Sequence, residues 1–140
     1  MNVLVDTSVW SLALRRAPRH LSPAERAVVA ELGELINEGR AKIVGLVRQE
    51  LLSGIKTPSQ FAKLQGILRS FPDEPLATSD YEAAAAASNQ CRSKGLAVSV
   101  SDMLICAVAQ SRGWAIFSTD PDFKRYASVL ALNLHETRKG

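Results

Sequence analysis

The sequence predicts a layered α/β domain built on a mostly parallel sheet. Short β-branched apolar runs alternate with helical segments along the chain. Capping residues, prolines and glycines mark where those helices start and stop. Acids recur just after the apolar runs, at the carboxyl ends where parallel sheets bind ligands. The 140 residues suit a single domain, 1–140. An apolar fraction of 46% against 22% charged residues excludes wholesale disorder. No apolar run reaches the roughly 18 residues of a membrane span.

The first strand is the buried run Asn2 to Val5, ended by Asp6-Thr7-Ser8, and an apolar helical turn follows from Val9 to Leu14. Ser22-Pro23-Ala24-Glu25 supplies an N-cap, a proline at the first helical position and a capping-box glutamate. That helix runs through Val28, Leu32, Leu35 and Ile36 to Gly39, with Glu31, Glu34 and Glu38 on its polar side. Lys42 to Leu46 reads as the second strand, passing into a helix with Gln49-Glu50-Leu51-Leu52 that stops near Gly54. Thr57-Pro58 opens a helix carrying Phe61, Leu64, Ile67, Leu68 and Phe71, and a short strand is expected around Glu74 to Ala77. Ser79-Asp80 begins an alanine-rich helix ending at Lys94-Gly95, and Ser99 to Gln110 is a further helix closed by Arg112-Gly113. Trp114 to Phe117 and Val129 to Leu134 complete the strands.

A net charge of +3 is compatible with a polyanionic partner, and its placement says more than its size. Arg15, Arg16 and Arg19 cluster beside His20, and Lys124-Arg125 lie near the C-terminus. Cys91 and Cys106 form no C-x-x-C, and His20 and His135 stand alone. Neither a disulfide framework nor a zinc site is therefore expected, and any metal would be held by oxygen. The opening Met1-Asn2-Val3-Leu4-Val5-Asp6 lacks a basic n-region, so the expectation is a soluble cytoplasmic protein.

Four acids resist a purely surface explanation. Asp6 follows the first strand, although Asp-Thr-Ser also suits a helix cap. Glu50 sits in a leucine-rich helix with Leu46 and Gly54 one turn either side, so no i,i+4 ion pair is open to it. Asp102 heads Ser101-Asp102-Met103-Leu104-Ile105-Cys106-Ala107-Val108-Ala109, a helix apolar on every face and so a buried one. A carboxylate there costs several kcal/mol unless paired, protonated or bound to metal. Asp120 follows Trp114 to Phe117 through Ser118-Thr119, with Pro121 and a further acid, Asp122, behind it. A doubly wound topology would bring these acids to one edge, where a hard divalent cation neutralises their repulsion. An acidic metal site in a mildly basic chain points to phosphodiester chemistry.

These residues resemble the PIN-domain nucleases, and within them the VapC-type toxins of type II toxin–antitoxin pairs. The resemblance rests on Val5-Asp6-Thr7-Ser8, Glu50-Leu51-Leu52-Ser53-Gly54, Ser99-Val100-Ser101-Asp102 with Leu104-Ile105-Cys106-Ala107, and Ser118-Thr119-Asp120-Pro121-Asp122-Phe123. It implies a three-layer α/β/α domain with a five-stranded, mostly parallel sheet. It also implies Asp6, Glu50, Asp102 and Asp120 as catalytic metal ligands, Asp122 as a further metal-binding acid and Ser118 as a supporting hydroxyl. Mg²⁺, with Mn²⁺ able to substitute, would then serve an endoribonuclease cutting structured RNA such as tRNA or rRNA. Such a toxin inhibits translation, forms a homodimer and is held inactive by a cognate antitoxin. Arg15, Arg16, Arg19, Lys124 and Arg125 are candidate contacts to the RNA backbone. The rival reading is a non-catalytic RNA-binding or dimerisation module whose acids are helix caps.

Overall fold

The computed structural model describes residues 1–138, and Lys139 and Gly140 lie outside the described residues. Four short strands, β1 (Val3–Val5), β2 (Ala41–Lys42), β3 (Ala115–Phe117) and β4 (Asn133–Leu134), form one parallel sheet in the order β2-β1-β3-β4. Its helices are α1 (Thr7–Leu14), α2 (Pro23–Asn37), α3 (Gly45–Leu52), α4 (Pro58–Leu68), α5 (Thr78–Ser93), α6 (Val100–Arg112) and α7 (Asp122–Ala127), with a single 3-10 turn at Pro18–His20. The chain steps from β1 to β2 at one edge of the sheet and then crosses back over β1 to β3 and β4, with α1–α2 and α3–α6 as the two connections.

The sheet carries one strand fewer than the five expected. The Glu74 to Ala77 strand reduces to a parallel bridge between Ile43 and Asp73, where the Glu74 N–H donates to the Ile43 carbonyl at 2.9 Å. Pro72 and Pro75 flank that bridge and lack the N–H groups a longer ladder needs. Two other expected strands are shorter than their apolar runs. Val44 is extended but Gly45 and Leu46 already form the first turn of α3. Val129 and Leu130 donate to the Tyr126 carbonyl, so they finish the turn after α7 rather than join β4.

β1 lies between β2 and β3, with Val5 in register with Phe117. Every residue of β1 and β3 is buried, as is α6 from Met103 to Ala109. α6 ends where β3 begins, through Gly113 at φ +69°, a left-handed turn that a side chain would strain. Its other end, with Ser99 capping the Asp102 N–H at 3.1 Å, therefore lies at the carboxyl edge of the sheet.

Two acids that the sequence reads as ordinary, Glu31 on the polar side of a helix and Asp80 at a helix start, are buried and paired. Glu31 is 5% exposed and meets His135 at 2.6 Å and Arg138 at 2.9 Å. Asp80 caps α5 through the Ala77 N–H at 2.8 Å, and both its oxygens also accept from Arg112, at 2.8 and 3.2 Å. Helical spacing could not show either, because Glu31 and His135 are 104 residues apart and Asp80 and Arg112 are 32 apart.

Candidate metal centre

The register of β1 with β3 is the first step in building the site. Val5 and Phe117 are partners, so Asp6 and Ser118 leave the sheet side by side. The Asp6 N–H donates to the Phe117 carbonyl at 2.9 Å, continuing the ladder by one bond. Ser118 then donates from Oγ to Asp6 Oδ2 at 2.8 Å. The same Asp6 oxygen accepts from the Ser8 hydroxyl at 2.8 Å and, more loosely, from the Ser8 N–H at 3.4 Å. Asp6 is thus the N-cap of α1, as one of the two readings of Asp-Thr-Ser required, and it also faces β3 across the sheet's opening.

The β3–α7 loop is ordered by its own hydroxyls. Ser8 Oγ accepts the Thr119 N–H at 3.0 Å and Ser118 Oγ accepts the Asp120 N–H at 3.0 Å. Asp120 Oδ1 in turn accepts the Asp122 N–H at 2.9 Å, which closes the turn leading into α7. Asp102 approaches from α6. Oxygens of Asp102, Asp120 and Asp122 all lie within 4.8 Å of one another, and the three residues are partly exposed.

Asp102 differs from its neighbours in having no backbone to cap. Ser99 does that work at the start of α6, and the Asp102 carboxyl accepts a hydrogen bond from the Tyr126 hydroxyl at Oδ2, 2.8 Å away, with the Ser99 hydroxyl also favouring its charged form. Burial pushes the Asp102 carboxyl above its ordinary range, the Tyr126 bond opposes this, and the charges of Asp6 and Asp120 push it further up. Tyr126 is raised by its own burial and by the bond it donates, so it stays a donor at neutral pH. Tyr126 is the site residue the sequence did not single out. It lies one turn past Asp122 in an aromatic, basic stretch that reads as packing, and only its distance to Asp102 reveals it.

The structure places the remaining candidates as follows. Glu50 is exposed on α3 and stands outside the group of three acids, joined to the site through Thr7, whose Oγ1 donates to Glu50 Oε1 at 3.3 Å. Arg125 pairs with Asp122, and Arg16 with Glu25 at 3.1 Å. Arg15, Arg19 and Lys124 are exposed without an acidic partner among the described residues. Cys106, one turn along from Asp102, is buried and its thiol is raised by burial and by the Asp102 charge, so it is neither ligand nor nucleophile. The centre is an all-oxygen set, with excess negative charge that, among the described residues, Arg125 offsets at Asp122. That chemistry fits a hard divalent cation such as Mg²⁺ or Mn²⁺.

A PIN domain family model matches residues 3–129. Among solved structures, the chain is similar to one in the crystal structure of FitAcB from Neisseria gonorrhoeae, with a TM-score of 0.75 and 21% identity over 99% of each chain. It is similar to a chain of VapBC2 from Rickettsia felis, bound to a DNA fragment from their promoter, with a TM-score of 0.72 and 19% identity over 96% of this chain and 98% of that one. A chain of VapBC-1 from nontypeable Haemophilus influenzae matches with a TM-score of 0.73 and 12% identity over 99% and 100%. No curated protein sequence matches the chain. At these identities the solved structures establish a shared fold. Among the described residues no helix is long and apolar enough to cross a membrane.

Proposed function

This chain belongs to the PIN-domain family, whose members are typically nucleases, and from that premise we propose that it is a divalent-metal-dependent endoribonuclease, the toxin of a toxin–antitoxin pair. The observation that carries the proposal is the convergence of Asp102, Asp120 and Asp122 within 4.8 Å, with Asp6 beside them. The rival reading, acids serving only as caps, accounts for Asp6 and Asp120 but not for Asp102, whose helix is capped by Ser99.

Asp102, Asp120 and Asp122 would hold the ion, with Asp6, outside that group of three but felt by Asp102 through its charge, and Glu50 on α3 as outer acids. Bound there, Mg²⁺ or Mn²⁺ would supply a lowered pKa for water and charge neutralisation for a phosphodiester and its leaving oxygen. The protein's own part is mostly positional. Ser118 and Ser8 fix the Asp6 carboxylate, and Tyr126 fixes Asp102, so the oxygens need no rearrangement. A carboxylate of the group not engaged by cation can accept the proton of the attacking water. Neither His20 nor His135 lies in the cluster, so histidine acid–base hydrolysis has no support.

The structural relatives named above are toxin–antitoxin proteins, and this supports a cognate antitoxin as partner. A homodimer, and tRNA or rRNA as substrate, belong to the same proposal. The test is cleavage of purified tRNA and rRNA with Mg²⁺, with Mn²⁺ and with EDTA. Cleavage should need the metal, and Asp102→Asn should lower it about a thousandfold, the worth of several kcal/mol of charge stabilisation. Cleavage that persists in EDTA, or in Asp102→Asn, would overturn the reading.

A further inference from the structure

Beside the acids, the carboxyl edge of the sheet holds a cleft of about 550 Å³ that the metal chemistry leaves unused. Ser118 and Asp120 form its inner side, Lys124 of α7 its lip, Val28 of α2 one wall, and the segment from Leu134 to Thr137 the other. We propose that this cleft is a subsite for one nucleoside of the substrate strand, adjacent to the phosphate at the acids, and that Glu31 is the positioning residue that holds its outer wall. The inference rests on the ribonuclease reading above and deepens it.

Size, place and chemistry agree on that occupant. The volume lies within the roughly 300–1,000 Å³ of small-ligand clefts. Asp120 belongs both to the cleft and to the acid cluster, so a strand whose phosphate sits at the acids has its next sugar and base at the opening. The floor is apolar, with Ile116 and Phe123 buried beneath it, and this suits the face of a base. The charges at the rim argue against a second phosphate: Asp120 and Glu136 outnumber Lys124. A neutral base with amino donors on its edge fits those carboxylates, and Lys124 remains for the strand's backbone.

The outer wall explains a buried charge that the sheet does not need. Glu31 lies one turn beyond Val28 on α2, is 5% exposed, and faces two residues of the C-terminal segment. Its carboxylate meets His135 Nε2 at 2.6 Å and accepts from Arg138 Nε at 2.9 Å. The His135 N–H also donates to the Ile116 carbonyl at 2.7 Å, and its ring stands edge-on to Phe117 at 5.2 Å. These contacts tie the Leu134–Thr137 wall to α2, the helix that carries the Val28 wall, from outside the cleft's own lining. Desolvating a carboxylate is costly, and a clasp used only for stability would leave substrate binding untouched.

The experiment is a nuclear magnetic resonance titration of the full chain, with Mg²⁺ present, by the four ribonucleoside 5′-monophosphates and by inorganic phosphate. At least one nucleotide should bind about tenfold more tightly than phosphate, shifting the amides of Ile116 and Thr137. Val28→Trp, which fills the cleft, should remove that preference while calorimetric Mn²⁺ binding stays as in the wild type. Glu31→Gln should raise KM for RNA several-fold with little change in kcat. Nucleotides that bind no better than phosphate, a preference that survives Val28→Trp in a folded protein, or a Glu31→Gln effect confined to kcat would each overturn the proposal. The two readings fail separately. Metal-dependent cleavage with unchanged KM in Val28→Trp sinks only the subsite, whereas nucleotide binding without any cleavage sinks only the ribonuclease.

Discussion

The carboxyl group of Asp102 is held where its charge is least comfortable: half out of water, one bond from Tyr126, and within reach of the Asp6 and Asp120 charges. A residue kept for stability would not be placed so, because both burial and its neighbours disfavour the ionised form. It follows that neutralising it relieves the metal-free protein. Asp102→Asn should therefore melt no lower than the wild type in EDTA. With Mn²⁺ at a hundredfold excess over its Kd the wild type should gain about 2.7 kcal/mol by mass action, and the variant should gain nothing. Thermal melts of both proteins with and without the metal make the comparison. A metal-free variant that melts far below wild type would mean that Asp102 holds the fold together, and the metal centre would lose its main support.

At the scale of elements, the α5–α6 pair shows how the acid-bearing helix is held at its far end. Arg112, in the last turn of α6, reaches Glu74 at 2.7 Å, the Pro75 carbonyl at 2.9 Å and both oxygens of Asp80 in the first turn of α5. The Arg112 bonds, then the Ala77 N–H, hold the Asp80 carboxyl below its ordinary value of 3.8, despite the opposing effect of burial. A lowered folded pKa gives stability that is present above the unfolded value and is lost as pH falls through the folded one. Asp80→Asn should accordingly lower the melting temperature by about 5 °C at pH 7. The gap should narrow as pH falls below 3.8 and through the lowered folded-state value, because the wild-type carboxyl then becomes protonated in both states. A gap independent of pH would show that Asp80 acts through its cap alone.

The same helices mark what a sequence can and cannot disclose. Ser22-Pro23-Ala24-Glu25, Ser99 and Gly113 carry their own local physics, and each ends or starts a helix within a residue or two of expectation. The carboxyl-edge placement of Asp6 and Asp120 was legible because each follows a buried strand, Asp6 directly and Asp120 after Ser118-Thr119. Sequence spacing could not reveal partnerships that tertiary packing makes: Tyr126 with Asp102, Glu31 with His135, and Arg112 with Asp80. The missing fifth strand had a local signal: the prolines at 72 and 75 bracket Asp73 and Glu74 and leave only a single bridge's worth of N–H donors there.

For the whole molecule, electrostatics sets how an acidic centre meets a polyanion. The chain carries a net +3, yet not all of the candidate RNA-contacting cations are free to act on RNA. Arg16 is paired with Glu25 and Arg125 with Asp122, so removing either cation also leaves a carboxylate uncompensated. Arg15, Arg19 and Lys124 are exposed without such partners among the described residues, and they are the ones whose counterions a phosphate backbone would release. Neutralising these three together should flatten the dependence of log K on log salt by about 2, at roughly 0.7–0.9 per phosphate contact. Fluorescence anisotropy with labelled tRNA in EDTA measures this without cleavage. Arg125→Gln should behave differently, weakening RNA binding little and tightening Mn²⁺ by releasing Asp122. A salt slope unchanged in the triple variant would place the RNA on another face of the molecule, while equal effects from Arg125→Gln would mean that its pairing with Asp122 gives way when RNA binds.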